Sequence, residues 1–446
     1  MAEMVRDQFL NPYEATELAG RVAAAFPKTA ALPAHARAKV LTGVSEGIER
    51  EREVFSRLIC EEVKKPVKEA RREVARAVFT FRWAAEEAQR ASGELLPLDL
   101  DASSEGRIAL TRRFPRGPAL FITPFNFPLN LVAHKVAPAI AVGAPFVLKP
   151  APQAPRTAAK LAQLVRDAGW PKDAMAVVSA TIPAAEVLVK DERFGTLSFT
   201  GSAKVGWHLK SIAGKKHVVL ELGGNAAVLV AADADLAWAA SRCAWGAYYY
   251  SGQSCISVQR IFVEAPVYEE FKGLLLKQIA ELKVGDPLDA KTDVGPLIDS
   301  KAADRVESWI KEAVEAGGKL LCGGKREGLV IAPALLENVP DRCKLSCEEA
   351  FGPVATIEKA DSRARAIERM GEGVYGLQAG MFTRDLRAIL AAWQSLPVGG
   401  LIVNDIPTYR SDAMPYGGVR DSGAGREGAR YAMEELTELR TLVIKP

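Results

Sequence analysis

Three short stretches of this 446-residue chain set groups capable of carbonyl chemistry among glycines or before a proline: Phe125-Asn-Phe-Pro128, Glu221-Leu-Gly-Gly224 and Gly252-Gln-Ser-Cys255. A cysteine thiolate can add to a carbonyl carbon, an amide can hold the resulting oxyanion, and a carboxylate can activate water. Each residue also has a plain structural reading. A single cysteine is more often a buried apolar filler. Asn126 could brace a turn ahead of Pro128, and Glu221 could be a solvated or ion-paired carboxylate at a strand end. Other chemistries have weaker support. No Walker loop is present, and Gly201-Ser-Ala-Lys-Val-Gly206 lacks the middle glycine of the dinucleotide fingerprint. The four histidines show no metal-ligand spacing and Cys343-x-x-x-Cys347 alone is weak, so no metal is expected.

Such groups act only when rigid elements hold them. Apolar runs at Ala119–Thr123, Phe146–Lys149, Ala176–Ser179, Thr196–Thr200 and Val218–Leu222 alternate with helix-length segments such as Leu129–Val142 and Thr157–Ala168. That alternation predicts a parallel, doubly wound sheet with ligands at the carboxyl ends of its strands. A second alternation has strands near Gln259–Val263, Val354–Glu358, Ala379–Phe382 and Leu401–Val403, with helices at Val267–Lys283 and Lys301–Ala316. It predicts a second α/β domain starting close to Gly223. The first hundred residues read as helical, with Val74, Val78, Phe81 and Ala84 on one stripe and Pro66 separating two helices. Gly106–Phe114 and Thr441–Ile444 could be strands projecting from the body.

Composition bounds the rest. Apolar residues at 48% and charged residues at 25% give an ordinary globular balance, long enough for two or three domains. The net charge of +3 is spread along the chain, which argues against nucleic acid. Val136–Leu148, the most apolar stretch, is too short to span a bilayer, so no membrane association is expected. Met1-Ala-Glu-Met-Val-Arg-Asp7 has no apolar run behind it, which argues against a secretory signal. Six sparse cysteines fit reduced thiols and a cytoplasmic location.

Taken in order, the three stretches above, Lys149-Pro150, Phe199-Thr-Gly-Ser202, Glu348-Glu-Ala-Phe-Gly-Pro353, Asn404, Pro415-Tyr-Gly-Gly-Val-Arg-Asp-Ser-Gly423 and Gly425-Arg-Glu-Gly428 resemble the aldehyde dehydrogenase superfamily. The resemblance runs from about Arg116 to the C-terminus. Phe125–Lys135 and Met414-Pro-Tyr-Gly-Gly resemble the branch with lactaldehyde and non-phosphorylating glyceraldehyde-3-phosphate dehydrogenases. It implies an α/β fold, with a Rossmann-type cofactor domain (1–95 and 116–222), an α/β catalytic domain (223–425) and a small β arm (96–115 and 434–446). The arm would serve a homodimer or homotetramer.

The resemblance assigns the chemistry. Cys255 becomes the nucleophile, Asn126 an oxyanion donor with the Cys255 backbone N–H, and Glu221 the base that hydrolyses the thioester. Glu427 resembles a second carboxylate that relays the proton, although a salt bridge with Arg426 or Arg430 fits as well. For NAD or NADP it implies Lys149 and Glu349 at the two riboses, Phe351 beside the latter, and Gly201 and Ser202 near the pyrophosphate. Thr123, Pro124, Phe125 and Gly223 complete that set. Many NAD-preferring relatives carry a glutamate three residues after the lysine. Here Pro152 stands there, which removes a like-charge penalty on NADP.

The substrate would be a small polar aldehyde lined by Phe127, Leu131, Trp245, Tyr249, Ile256 and Tyr409. Arg410 could pair with a carboxylate or phosphate on it, or could simply be solvated. Acyl transfer to coenzyme A or phosphate is the alternative reaction, and Glu221 argues against it.

Overall fold

The computed structural model describes residues 9–446. The reading of Met1–Asp7 lies outside them. Two open sheets carry the described chain. In the first, strands run in the order Gly423–Ala424, His217–Glu221, Thr196–Thr200, Ala119–Ile122, Phe146–Lys149, Met175–Val177. All its neighbours are parallel except Gly423–Ala424, which pairs antiparallel with His217–Glu221. Chain order reverses between Ala119–Ile122 and Thr196–Thr200. A crevice therefore opens beyond their carboxyl ends, where Pro124 and Gly201 lie.

Both faces of this sheet are covered, which explains its continuous apolar strands. Side chains alternate across the pleat. Ala119 and Phe121 face a cluster built on the helices Ala34–Arg50, Val67–Arg90 and Asn130–Val142. Leu120 and Ile122 face another built on Pro12–Ala24 and Ile182–Lys190. Burying a side chain the size of Phe121 stabilises the fold by about 1.5–3 kcal/mol. The stripe on Val67–Arg90 faces inward as its spacing predicts, with Val74, Phe81 and Ala84 fully buried. Pro66 occupies the N-cap of that helix.

The second sheet has the order Lys319–Cys322, Ala334–Glu337, Val354–Ala360, Val258–Glu264, Ala226–Val230, Gln378–Phe382, Gly400–Val403. Only Lys319–Cys322 runs antiparallel to its neighbour. Ala226–Val230 and Ala334–Glu337 are buried along their whole length, and the sequence reading placed no strand at either. A third, small sheet pairs Ile108–Pro115 with Thr437–Ile444 antiparallel over eight residues. No helix among the described residues is long and apolar enough to cross a membrane.

The helix Asn130–Val142 joins the fold to the site. All its residues are buried, including Asn130, His134 and Lys135. The partners of His134 and Lys135 are distant in sequence. His134 Nε2 lies 2.8 Å from an Asp412 carboxylate oxygen, and Lys135 Nζ donates to Glu427 at 3.1 Å and to Ser198 at 2.7 Å. Glu73 accepts from the backbone N–H groups of Leu129 and Asn130 at the start of the helix, at 2.9 and 3.1 Å.

Candidate active site

The nucleophile candidate sits on a left-handed turn. Tyr250, Ser251 and Gly252 take φ of 47°, 56° and 68° in succession, and Cys255 follows three residues later. Two non-glycine residues in this region cost about 1–2 kcal/mol each. Buried bonds oppose that cost. Tyr250 Oη donates to the Val63 carbonyl at 3.0 Å and Ser251 Oγ to Gly295 at 2.6 Å. At Gly252 a Cβ would lie 2.1 Å from the Gly352 carbonyl, so only glycine fits. At Gly224 a Cβ would lie 2.4 Å from the Cys255 carbonyl, so the loop after Glu221 packs directly on the nucleophile's backbone.

A cavity of about 510 Å³ opens over Cys255 at the crevice. Cys255, Glu221, Asn126 and Glu427 all line it. Asn126 Nδ2 donates to the Gln253 carbonyl at 3.0 Å, which ties the Phe125–Pro128 loop to the nucleophile's own loop. An amide nitrogen carries two hydrogens, so one remains for a ligand. The Cys255 backbone N–H makes no hydrogen bond among the described residues.

Glu221 is 3% exposed, and neither carboxylate oxygen has a hydrogen-bond partner among the described residues. Burial, reinforced by Glu427, pushes its pKa well above the ordinary carboxylate range. Glu427 is equally buried, yet Lys135 and Arg410 outweigh that burial and hold it below the ordinary range. Two carboxylates in one pocket are thus driven apart, the pattern that separates a proton-accepting group from a fixed charge. Burial lifts the Cys255 thiol to about 12, against the hydrogen bond with Tyr416 that lowers it. Glu349 rises to about 7 through burial, although it accepts the Gly224 N–H at 3.1 Å.

The crevice can take a dinucleotide. Gly201, Ser202, Ala203 and Lys204 line the same cavity at the N-terminus of the helix Ala203–Ile212, whose first N–H groups favour an anion. Pro124, Phe125, Gly223, Glu349 and Phe351 line it too, with Phe125 and Phe351 edge to face at 6.0 Å. Among the described residues, no three histidine, cysteine or acidic side chains gather as a metal site.

Several positions differ from the sequence expectation. Thr123 and Lys149 do not line this cavity: Thr123 is buried, and Lys149 ends the neighbouring strand, partly buried and with no ion pair among the described residues. Phe127, Leu131, Tyr249 and Ile256 line the cavity, but Trp245 and Tyr409 do not. Trp245 stacks behind Tyr249 at 4.6 Å, flanked by Arg72 and Arg242. Tyr409 is 48% exposed and turned outward.

Arg410 is not solvated, since its side chain is 5% exposed and pairs with Glu427 at 3.0 Å. Neither Arg426 nor Arg430 pairs with Glu427. Arg426 donates to the carbonyls of Gly418 and Gly425, and Arg430 pairs with Glu434.

Arg76 and Tyr416 are among the cavity residues to which the sequence assigned no role. Arg76, on the helix Val67–Arg90, holds Asp412 at 2.6 Å. Tyr416 places its hydroxyl 3.3 Å from Cys255 Sγ. Tyr416 stood inside the quoted Pro415-Tyr-Gly-Gly motif, so the signal was present without a role attached.

Comparison with known proteins agrees with this geometry. Residues 10–442 match the model of the aldehyde dehydrogenase family. The chain is 44% identical over 409 residues to a 3-sulfolactaldehyde dehydrogenase of Priestia aryabhattai, covering 92% of this chain and 86% of that protein. It is 41% identical over 413 residues to a lactaldehyde dehydrogenase of Methanococcus vannielii, covering 92% and 87%. Among solved structures, aldehyde dehydrogenase 21 of Physcomitrella patens, in complex with the reaction product succinate, matches with a TM-score of 0.96 at 42% identity, over 98% of this chain and 91% of that one. GapN of Methanocaldococcus jannaschii, complexed with NADP, matches with a TM-score of 0.95 at 36% identity, over 99% and 96%. Agreement of this quality along nearly the whole length leaves one assignment: the chain belongs to the aldehyde dehydrogenase family, as an NAD(P)-dependent oxidoreductase.

Proposed function

We propose that this enzyme oxidises a small polar aldehyde to its carboxylic acid through a thioester on Cys255. One observation carries the reading: a thiol, an amide with a spare N–H and an unpaired buried carboxylate share one cavity at the mouth of the crevice. The Cys255 sulfur attacks the aldehyde carbon and makes it tetrahedral, while Asn126 and the Cys255 N–H hold the oxyanion. When bound, the oxidised nicotinamide would supply the hydride acceptor. Glu221 then takes a proton from the water that hydrolyses the thioester, and Glu427 stays charged behind it.

The cofactor, NAD or NADP, is held by Pro124, Phe125, Gly201, Ser202, Gly223, Glu349 and Phe351, with Lys149 and Thr123 reached beyond the cavity. In this reading 1–95 and 116–222 form the cofactor unit and 223–425 the catalytic unit. The strands within 96–115 and 434–446 join copies into a homodimer or homotetramer. Free cysteines go with a reducing, cytoplasmic setting.

Arg76 supports a substrate with an anionic tail. Its guanidinium lies on the cavity wall, 31% exposed, and only part of its donor fork is used by Asp412. A carboxylate, sulfonate or phosphate suits the remainder. The sulfolactaldehyde and succinate named for the relatives are of that kind. Arg410 lines the same cavity but already pairs with Glu427, so Arg76, the more exposed of the two, is favoured in this role.

The experiment is reduced-nicotinamide absorbance with neutral and anionic aldehydes, with NAD and NADP in turn, adding neither coenzyme A nor phosphate. Turnover that Cys255→Ala abolishes is expected. Turnover that needs an acyl acceptor would replace hydrolysis with acyl transfer, and full activity of Cys255→Ala would remove the thioester.

A further inference from the structure

We infer that Tyr416 is a catalytic residue whose phenolic O–H donates to the Cys255 sulfur and favours its nucleophilic, ionised form. The inference rests on Cys255 being the nucleophile. Tyr416 Oη lies 3.3 Å from Cys255 Sγ, and this is the one side-chain hydrogen bond to that sulfur among the described residues. At 4% exposure, Tyr416 gives water little chance to compete for the bond.

Its position is fixed from three sides. Tyr416 N donates to the Glu427 carbonyl at 3.0 Å, and Glu427 N donates to the Tyr416 carbonyl at 2.7 Å. The Arg410 guanidinium lies 3.7 Å from the ring centre, and it is itself held by Glu427. A cation over the ring draws electron density from it and makes the hydroxyl a stronger donor.

The direction of donation follows from ordinary acidities. A phenol, at about 10, keeps its proton through the range where a thiol, at about 8.5, loses it. Burial raises both groups here, Tyr416 well above its usual value. On ionisation the Cys255 proton leaves through the cavity to solvent, while the Tyr416 O–H bond stays intact and turns toward sulfur. A bond to a charged acceptor is stronger than one to a neutral thiol. The other charged groups acting on this sulfur are Glu349 and Glu221, which oppose a thiolate, and Arg410, which favours it. Tyr416 therefore works on the same side as Arg410, from closer range.

The test is the pH dependence of Cys255 alkylation by iodoacetamide in the full-length protein, read on the Cys255 peptide by mass spectrometry. Tyr416→Phe should move the midpoint up by about 1–2 pH units, so that alkylation below the midpoint slows roughly tenfold or more. Site-specific 3-fluorotyrosine at position 416 keeps the shape and strengthens the donor, and it should move the midpoint the other way. That second protein carries the test if the phenylalanine variant does not fold. Superimposable profiles, or fluorotyrosine moving the midpoint up, would overturn the inference. Alkylation of Cys255 without loss of aldehyde oxidation would instead remove Cys255 as nucleophile, and the same peptide would still report whether Tyr416 controls its ionisation.

Discussion

Glu221→Gln separates the two halves of the proposed cycle. The wild-type carboxylate is buried and its oxygens are unpaired, so an amide of the same size enters without breaking a bond. Attack by Cys255 and hydride loss do not need Glu221, whereas thioester hydrolysis does. A positioned general base contributes about 10²- to 10⁴-fold, or about 3–5 kcal/mol of barrier. Stopped-flow absorbance should therefore show a burst near one reduced nicotinamide per subunit, followed by a steady rate lower by that factor.

The pH profile gives a second readout. A base works only when ionised, so the wild-type steady rate should climb as pH rises through the elevated Glu221 pKa, and the variant should lose that limb. Stability has the opposite sign. The fold binds this proton more tightly than the unfolded chain does. Native stability therefore falls as pH rises from the ordinary carboxylate range through the raised value. Glutamine removes that loss, so the variant should melt at or above wild type at alkaline pH. An undiminished steady rate would refute Glu221 as the base. A first turnover slowed as much as the steady rate would place it in acylation instead. A lower alkaline melting temperature would refute the burial argument.

Two further outcomes test the frame around the site. Lys65 is fully buried, paired with Glu73 and set over the rings of Phe127 and Tyr250 at 3.7 and 4.4 Å. Lys65→Met leaves Glu73 uncompensated at about 3–5 kcal/mol, and thermal unfolding should begin several degrees lower. An unchanged melting curve would show that the pair holds neither loop. Pro152→Glu, at an exposed turn, adds a carboxylate three residues after Lys149. The ratio of kcat/KM for NADP over NAD should fall about tenfold, the effect of about 1.4 kcal/mol of like-charge repulsion. An unaltered ratio would place the adenosine ribose elsewhere.

What the sequence disclosed follows from the range of the interactions involved. Alternating apolar runs and helix-length spacers are local signals, and the strands Phe146–Lys149 and Thr196–Thr200 fall where those signals put them. The strand Ala226–Val230 was missed because Gly223-Gly224 reads as a loop and five apolar residues after it fit a helix start equally well. The site's charges were harder. Lys135 and Glu427 are 292 residues apart, and Arg76 and Asp412 are 336 apart. Nothing local tells a buried, paired charge from a solvated one, so Arg410 stays open between the two in the sequence and Arg76 draws no notice there. Tyr416 was visible as part of a motif, but its hydroxyl gains meaning only from a thiol 161 positions earlier.

Other long-range bonds explain why the segment just before the nucleophile can hold a strained turn. Left alone, Tyr250 and Ser251 would relax to right-handed conformations, and together they store about 2–4 kcal/mol. Their anchors come from different parts of the fold: Val63 closes a helix in the N-terminal layer, whereas Gly295 lies in a loop beside the second sheet. Gln253 adds a third anchor by accepting the Ile298 N–H at 2.9 Å. Asn126 adds a fourth through the Gln253 carbonyl. Each buried bond contributes about 0.5–1.5 kcal/mol net, so four of them offset the strain. Sulfur, amide and carboxylate are therefore set before any ligand arrives. The crevice at Ser202 and Lys204 is exposed to solvent instead, away from the bonds that fix Cys255.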